Sequence, residues 1–260
     1  MTRPTAHYQR GLQYFNGCLY LPNSVDGTGA WDAWNPGDGT VTHATVGSAF
    51  DTQLKRTIFT NDGTADRALG VRKVNAGDYQ FFYGNADNCG GFYYSCIARI
   101  GAWNSDAGRI FFGLSASANA IAINNTVPAN TVGLWHDTGD GQDVFSMVVC
   151  TSGGAATKNA FTTHAANAGI LAAGVTLHFE MWAFPNGIGT VNTNFRLEYY
   201  DATNKWMAQS AWSAAGLASG VKTGMMAPQC QMSNGADTTI GHYALEVANV
   251  YCSSWSGELF

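Results

Sequence analysis

Along residues 175–184, apolar and polar side chains alternate. Val175, Leu177, Phe179, Met181 and Ala183 fall on one side, and Thr176, His178, Glu180 and Trp182 on the other. A period of two is the pattern of a β-strand with one packed face. Residues 195–200 repeat it, with Phe195, Leu197 and Tyr199 opposite Arg196, Glu198 and Tyr200. Further short runs are aromatic and β-branched: YQFFYG (79–84), GFYYSCIARI (91–100), RIFFGL (109–114), DVFSMVVC (143–150) and TTIGHYALEVANVYC (238–252). Each predicts a strand. Turn chemistry separates them, in NSDAGR (104–109), TGDGQD (138–143), FPNGIG (184–189) and DATNK (201–205). Helical periodicity is almost absent; SAAGLASG (213–220) is too short and glycine-rich for more than a turn of helix. Many short strands joined by Gly/Asn/Asp turns predict an all-β fold, an antiparallel β-sandwich.

The first fifty residues read differently. NSVDGTGAWDAWNPGDGTVTHATVGSAF (23–50) has turns, two tryptophans and little alternation. The expected organisation is an irregular N-terminal extension over 1–50 and a sandwich over 51–260. The extension is expected to pack on the sandwich or on a neighbouring subunit. Trp31 and Trp34 lie in its polar stretch and are the candidates for a subunit contact, since interfaces favour aromatic anchors. There is no internal repeat and no heptad pattern, so no coiled-coil stalk is encoded.

Composition narrows the function classes. With 260 residues the chain is long enough to bury a core without staples. Aromatic residues make up 13% and charged residues 12%, the latter about half the usual ~25%. That balance excludes disorder and points to a surface covered with neutral polar groups or buried against neighbours. Net charge is −5, with 13 Lys and Arg spread thinly, so nucleic-acid binding is not expected. No apolar run is long enough to span a membrane, and the N-terminus carries no apolar export core, so no export by that route is expected. The six cysteines match no zinc spacing. Free buried thiols are the plain expectation, with Cys89 and Cys96 the first pair to consider for a disulfide.

Residues 50–200 resemble a group of tailed-phage virion proteins built on the concanavalin A-like lectin/glucanase sandwich, a jelly roll. KRTIFTNDGTADRALGVRK (55–73) is similar to the arginine-containing strand pair that opens those domains. GGFYYSCIARIG (90–101) and RIFFGLSAS (109–117) look like their Gly-Gly-aromatic strand and the strand ending in Gly-Leu. NTVGLWHDTGDGQDVFSMVVCTSGGAATK (130–158) is similar to their strand–acidic turn–strand hairpin. TLHFEMWAFPNG (176–187) and NFRLEYYD (194–201) match the long strand and its partner. The resemblance rests on order and texture, not on one diagnostic motif. It implies a non-enzymatic virion component, often tail-associated, that adheres to a cell-surface glycan.

Candidate chemistry is sparse. The glucanases of this fold place two glutamates and an aspartate on one strand, and retaining hydrolysis needs two carboxyls about 5 Å apart. Here Glu180, Glu198 and Glu246 each lack a second carboxylate at i+2 or i+4 on their own strand. His178 shares a face with Glu180 but has no matched nucleophile. No catalytic residue is therefore assigned. Asp137, Asp140 and Asp143 sit at intervals of three in a turn. Hard oxygens on a tight loop suit calcium, but the EF-hand spacing and terminal glutamate are missing, and an ordinary acidic turn is the plainer reading. No metal or cofactor is expected. Sugar rings stack on exposed aromatic faces, so Trp182, Trp206 and Trp212, with Asp137 and Asp143, are the candidate ligand-binding residues; packing in the sheet is the plainer reading for the strand tryptophans.

The expected function is a non-enzymatic virion protein of a tailed phage, acting as a tail fibre, tip or receptor-binding component. Its expected partners are other virion proteins, further copies of itself in a homo-oligomer (a trimer, as in phage fibres) and a host cell-surface glycan. A capsid decoration or head-fibre protein is the alternative, and a polysaccharide-degrading enzyme on the same sandwich ranks below both.

Overall fold

The structure is a computed structural model. It describes residues 18–20, 32–34, 39–43, 57–65, 68–72, 92–104, 108–116, 127–137, 145–150, 156–160, 172–183, 193–203, 205–214 and 226–254. Among them every regular element is a strand. The first five are β1 (Cys18–Tyr20), β2 (Asp32–Trp34), β3 (Gly39–His43), β4 (Thr57–Asn61) and β5 (Ala68–Arg72). Then come β6 (Phe92–Ala102), β7 (Arg109–Ser115), β8 (Thr131–His136), β9 (Ser146–Cys150) and β10 (Ala156–Ala160). The last five are β11 (Thr176–Ala183), β12 (Thr193–Tyr200), β13 (Trp206–Ala214), β14 (Ala227–Ser233) and β15 (Ala244–Ser254).

They form two antiparallel sheets. Sheet A has the order β13-β12-β11-β6-β15-β4-β3, and sheet B the order β10-β9-β8-β7-β14-β5-β2. β1 also joins sheet A, running beside Tyr251–Ser253 of β15, while β4 takes the Ala244–Val247 stretch. The chain is an antiparallel β-sandwich of jelly-roll type. The described residues within 1–50 form three short strands: β1 pairs with β15, β2 with β5 and β3 with β4. β2 and β3 are the outermost strands at one edge of each sheet.

GFYYSCIARI and RIFFGL follow each other closely in the chain, but β6 lies at the centre of sheet A and β7 in sheet B. A short connection that crosses the sandwich leaves no mark in periodicity, because both strands still alternate toward the same core.

That core lies between the sheets. Val175, Leu177, Phe179, Met181 and Ala183 of the β11 segment enter it, with Phe195, Leu197 and Tyr199 of β12. Both sets are the faces that alternation marked. Phe92, Tyr94, Cys96, Ala98 and Ile100 of β6 meet them there, along with Ile110, Phe112 and Leu114 of β7. Each such side chain, taken out of water, contributes about 1.5–3 kcal/mol before entropy is set against it. Cys96, Cys150, Cys230 and Cys252 are buried thiols outside any disulfide, so Cys96 does not carry the suggested bond; Cys89 lies outside the described residues. Burial pushes the Cys96 thiol and the Tyr94 phenol well above their ordinary ranges, helped by the neighbouring Cys230 and Cys252. These groups stay neutral and inert in the core.

Candidate functional site

The polar side chains with chemical potential gather on the face of sheet A that points away from the core. Register decides which of them meet. Glu180 on β11 pairs with Arg196 on β12 and with Ser95 on β6, while Glu198 lies opposite His178. Arg196 consequently stands between two carboxylates: Nη1 is 3.9 Å from Glu180 Oε2, and Nη2 donates to Glu198 Oε1. Tyr93 Oη donates to Glu180 Oε1 at 2.9 Å, and Tyr200 Oη to Glu198 Oε2 at 3.3 Å. The His178 ring tilts against Tyr200 with centroids 4.8 Å apart. One strand further on, Arg99 Nη1 pairs with Glu246 Oε1 at 3.0 Å.

The two glutamates that stand alone along their strands are thus brought together across strands. A search along one strand could not find the pair, because it depends on how β11 and β12 are aligned. Their surroundings do not suit hydrolysis. Acid catalysis requires a carboxyl that carries a proton toward the leaving group. Glu198 instead accepts from the Arg196 guanidinium and from the Tyr200 phenol, and Glu180 accepts from the Tyr93 phenol with the same guanidinium 3.9 Å away.

The predicted tryptophans end in different places. Trp182 is on this outer face but only 7% exposed, packed with Tyr93 and Tyr251 in a small cluster. Its ring is covered, so it packs the sheet instead of offering a stacking surface. Trp212 lies on β13 opposite the core residue Phe195. Trp206 pairs with Tyr200 at the start of β13 and is 53% exposed. The turn before it is tightly built. Asp201 Oδ1 accepts from the Thr203 amide at 2.8 Å, the Thr203 hydroxyl at 2.6 Å and the Lys205 amide at 3.0 Å. Those bonds, the Thr203 hydroxyl first, hold the Asp201 carboxyl below its ordinary range. Trp206 is therefore presented from a fixed hairpin. The Trp31 call lies outside the described residues, and Trp34 sits on the edge strand β2 opposite Gly70.

Asp137 requires a different reading from the one its turn implied. It is fully buried, accepts from Trp135 Nε1, and pairs with Lys158 Nζ at 3.0 Å. Lys158 also lies 5.7 Å from the centre of the Trp135 ring. This is a structural ion pair on the outer face of sheet B, not an open ligand. Asp140 and Asp143 lie outside the described residues. Among the described residues no three His, Cys, Asp or Glu side chains converge as a metal site would require.

The outer face of sheet B is packed where that of sheet A is polar. Phe111, Trp135, Val148 and Cys150 form a second apolar cluster with Val127. Gly113 and Gly133 lie opposite each other beneath Phe111. A Cβ on Gly133 would stand 2.2 Å from the Phe112 carbonyl oxygen and 2.8 Å from the Phe111 ring. The two glycines let that ring lie flat along the sheet.

At one end of the sandwich a further polar cluster ties loops together. Asn61 Nδ2 donates to the Thr239 carbonyl at 2.8 Å, and Asn234 Nδ2 to that of Thr64 at 2.8 Å. His242 Nδ1 is 2.9 Å from Asp237 Oδ2 and 2.8 Å from the Asn104 amide. A carboxylate only accepts, so in the contact with Asp237 it is the ring Nδ1–H that donates. Burial pulls the Asp237 carboxyl upward, but the hydrogen bond from His242 and the Thr239 amide outweigh it and hold the group below its ordinary range.

No protein-family model matches the chain, and no curated protein matches it by sequence. Solved structures do. Arcelin-5, a lectin-like defense protein from Phaseolus vulgaris, superposes with a TM-score of 0.55 at 12% identity, covering 92% of this chain and 98% of that one. A protein of unknown function from Shewanella oneidensis MR-1 gives 0.52 at 8% identity, over 100% and 97% of the two chains. Lectin UEA-II, complexed with galactose, gives 0.51 at 12% identity, over 91% and 98%. The likeness is one of fold: the chain is an all-β, lectin-like sandwich of the concanavalin A type.

Proposed function

We propose that the chain is a non-enzymatic structural protein of a tailed-phage virion, carried on the tail as a fibre, tip or receptor-binding component, and that its lectin-like domain adheres to host-surface glycan. The virion part of this reading is supported by the order of sequence segments over residues 50–200, and by the low content of charge. The adhesive part is carried by one observation. On a sandwich shared with lectins, Trp206 stands 53% exposed at the rim of a polar face bearing Arg196, Glu198, His178 and Tyr200. Aromatic surface beside fixed donors and acceptors is what a sugar ring requires, since its C–H face stacks and its hydroxyls hydrogen-bond. The engagement of Glu180 and Glu198 by Arg196 and by tyrosines supports binding over cleavage. The edge strands β2 and β3 support contact with other virion proteins or with a second and third copy, because an edge strand is where a neighbour can add to a sheet.

Immunogold electron microscopy of intact virions, with antibody raised against the recombinant chain, tests the location. Gold at the tail end is the expected result; gold spread over the head would make the protein a capsid decoration. Incubation with polysaccharide, followed by an assay for new chain ends, tests the rest. Release of oligosaccharide would make the protein an enzyme.

A further inference from the structure

We propose that two copies of this chain join edge to edge through β13, each extending the other's sheet A. The proposal does not depend on the adhesive reading. β13 ends sheet A and, among the described residues, pairs only with β12. Its other backbone edge is therefore open among them. In an antiparallel ladder, alternate residues aim both N–H and C=O away from the neighbouring strand. The nine residues Trp206–Ala214 offer about 30 Å of such an edge.

An open edge invites another strand, and proteins blunt it with short length, charge, proline or a bulge. Elsewhere the edges are short: β1 and β2 have three residues each, β3 and β10 five. β2 also carries Asp32, and β10 carries Lys158. β13 reads WMAQSAWSA, with no charge and no proline. Its bulge sits at the hairpin end, where Tyr199 faces Ala208 and Tyr200 faces Trp206, so that Met207 is the extra residue. Residues 208–214 keep unbroken register against β12.

Charge and symmetry select the occupant. A two-fold axis perpendicular to the sheet sets β13 antiparallel to its own copy. The central residue then lies opposite itself, and the others opposite their mirror positions. Like charges brought together this way are destabilising. Lys158, at the middle of β10, would meet its own copy; β13 brings no such pair. The gain is about one backbone hydrogen bond per paired residue. β2 and β3 lie at the opposite edge of the two sheets, so this contact does not compete with one made there.

Sedimentation velocity on the full chain counts the copies. Ala211, midway along 208–214 and opposite Arg196, is the position to charge. Ala211→Glu and Ala211→Lys each set like charges across the two-fold when alone, and opposite charges when mixed. The expected result is a dimer of the unaltered chain. Its dissociation constant should rise about tenfold or more in either variant and recover in their equimolar mixture, with unchanged circular dichroism. A monomer would overturn the proposal and leave the edge to a strand from another protein. A trimer would overturn the two-fold, and a dimer that neither variant weakens would overturn β13 as the contact. If a variant does not fold, hydrogen exchange of the unaltered chain decides. Alternate amides in 208–214 should exchange about tenfold or more slowly above the dissociation constant than below it; rates that ignore concentration would overturn the contact.

Discussion

On the outer face of sheet A, Arg196 reaches Glu180 and Glu198 with 24% of its side chain in water. On the outer face of sheet B, Lys158 reaches Asp137 with almost the same exposure, 25%, but its partner carboxylate has none. The chemistry is alike and the consequence is not. A pair whose members both keep some water exchanges one set of hydrogen bonds for another, and contributes little to stability. A fully buried carboxylate has no such exchange, and Lys158 and Trp135 Nε1 stand where water would otherwise be. Sheet B uses charge to hold a packed layer together. Sheet A leaves its charges partly in water.

The comparison can be broken most severely beneath Phe111. Gly133→Ala should destabilise the fold by about 3 kcal/mol or more, because backbone and ring would both have to move; urea denaturation measures it. A loss under about 1 kcal/mol would mean that sheet B is not tightly packed there. Asp137→Ala comes next, at about 2–3 kcal/mol, since it leaves the Trp135 indole N–H and the Lys158 ammonium without their acceptor. Arg196→Met on sheet A should cost only about 1 kcal/mol in the same assay, and a cost equal to that of Asp137→Ala would erase the distinction between the faces. Trp206→Ala should change stability by about 0.5 kcal/mol or less while weakening glycan retention. The smallest effect belongs to acid titration of the hairpin. Asp201 has a lowered pKa in the folded chain, so its contribution is present above the ordinary aspartate value of 3.8 and is lost as pH falls through the folded value below it. Asp201→Asn should flatten that limb of a stability–pH curve slightly, with its small cost present at neutral pH and absent in acid.

Much of the architecture could be read from the chain. The alternation in 175–184 and 195–200 marked the correct core faces, because side-chain direction in a strand follows from sequence position alone. What two strands do to each other does not. Glu180 and Glu198 meet through the register of β11 against β12, which the pattern within one strand does not express. Trp182 was correctly placed on the outer face, but its burial depends on Tyr93 from β6 and Tyr251 from β15, some seventy to ninety residues away in sequence. Asp137 looked like a turn acid because its neighbours in sequence are turn residues; its partner Lys158 arrives by way of β10, two strands over in sheet B. Trp206 was legible as a tryptophan flanking a turn, and the Asp201 side chain that builds the turn carries the familiar signature of DATNK.

The position of β15 also bears on how the chain reaches its folded form. This strand, last in sequence order, runs down the middle of sheet A, with β6 along one side and β4 and β1 along the other. Until it emerges from the ribosome, the β13-β12-β11-β6 half and the β4-β3 half have no common strand, and the inner edge of β6 stays open. Sandwich folding of this kind, with pairing across most of the chain length, is slow, and an open central edge is a site for mispairing with another nascent copy. The protein should therefore complete its sheet only after synthesis of residue 254, and a chain stopped short of β15 should accumulate as aggregate instead of as a partly folded monomer.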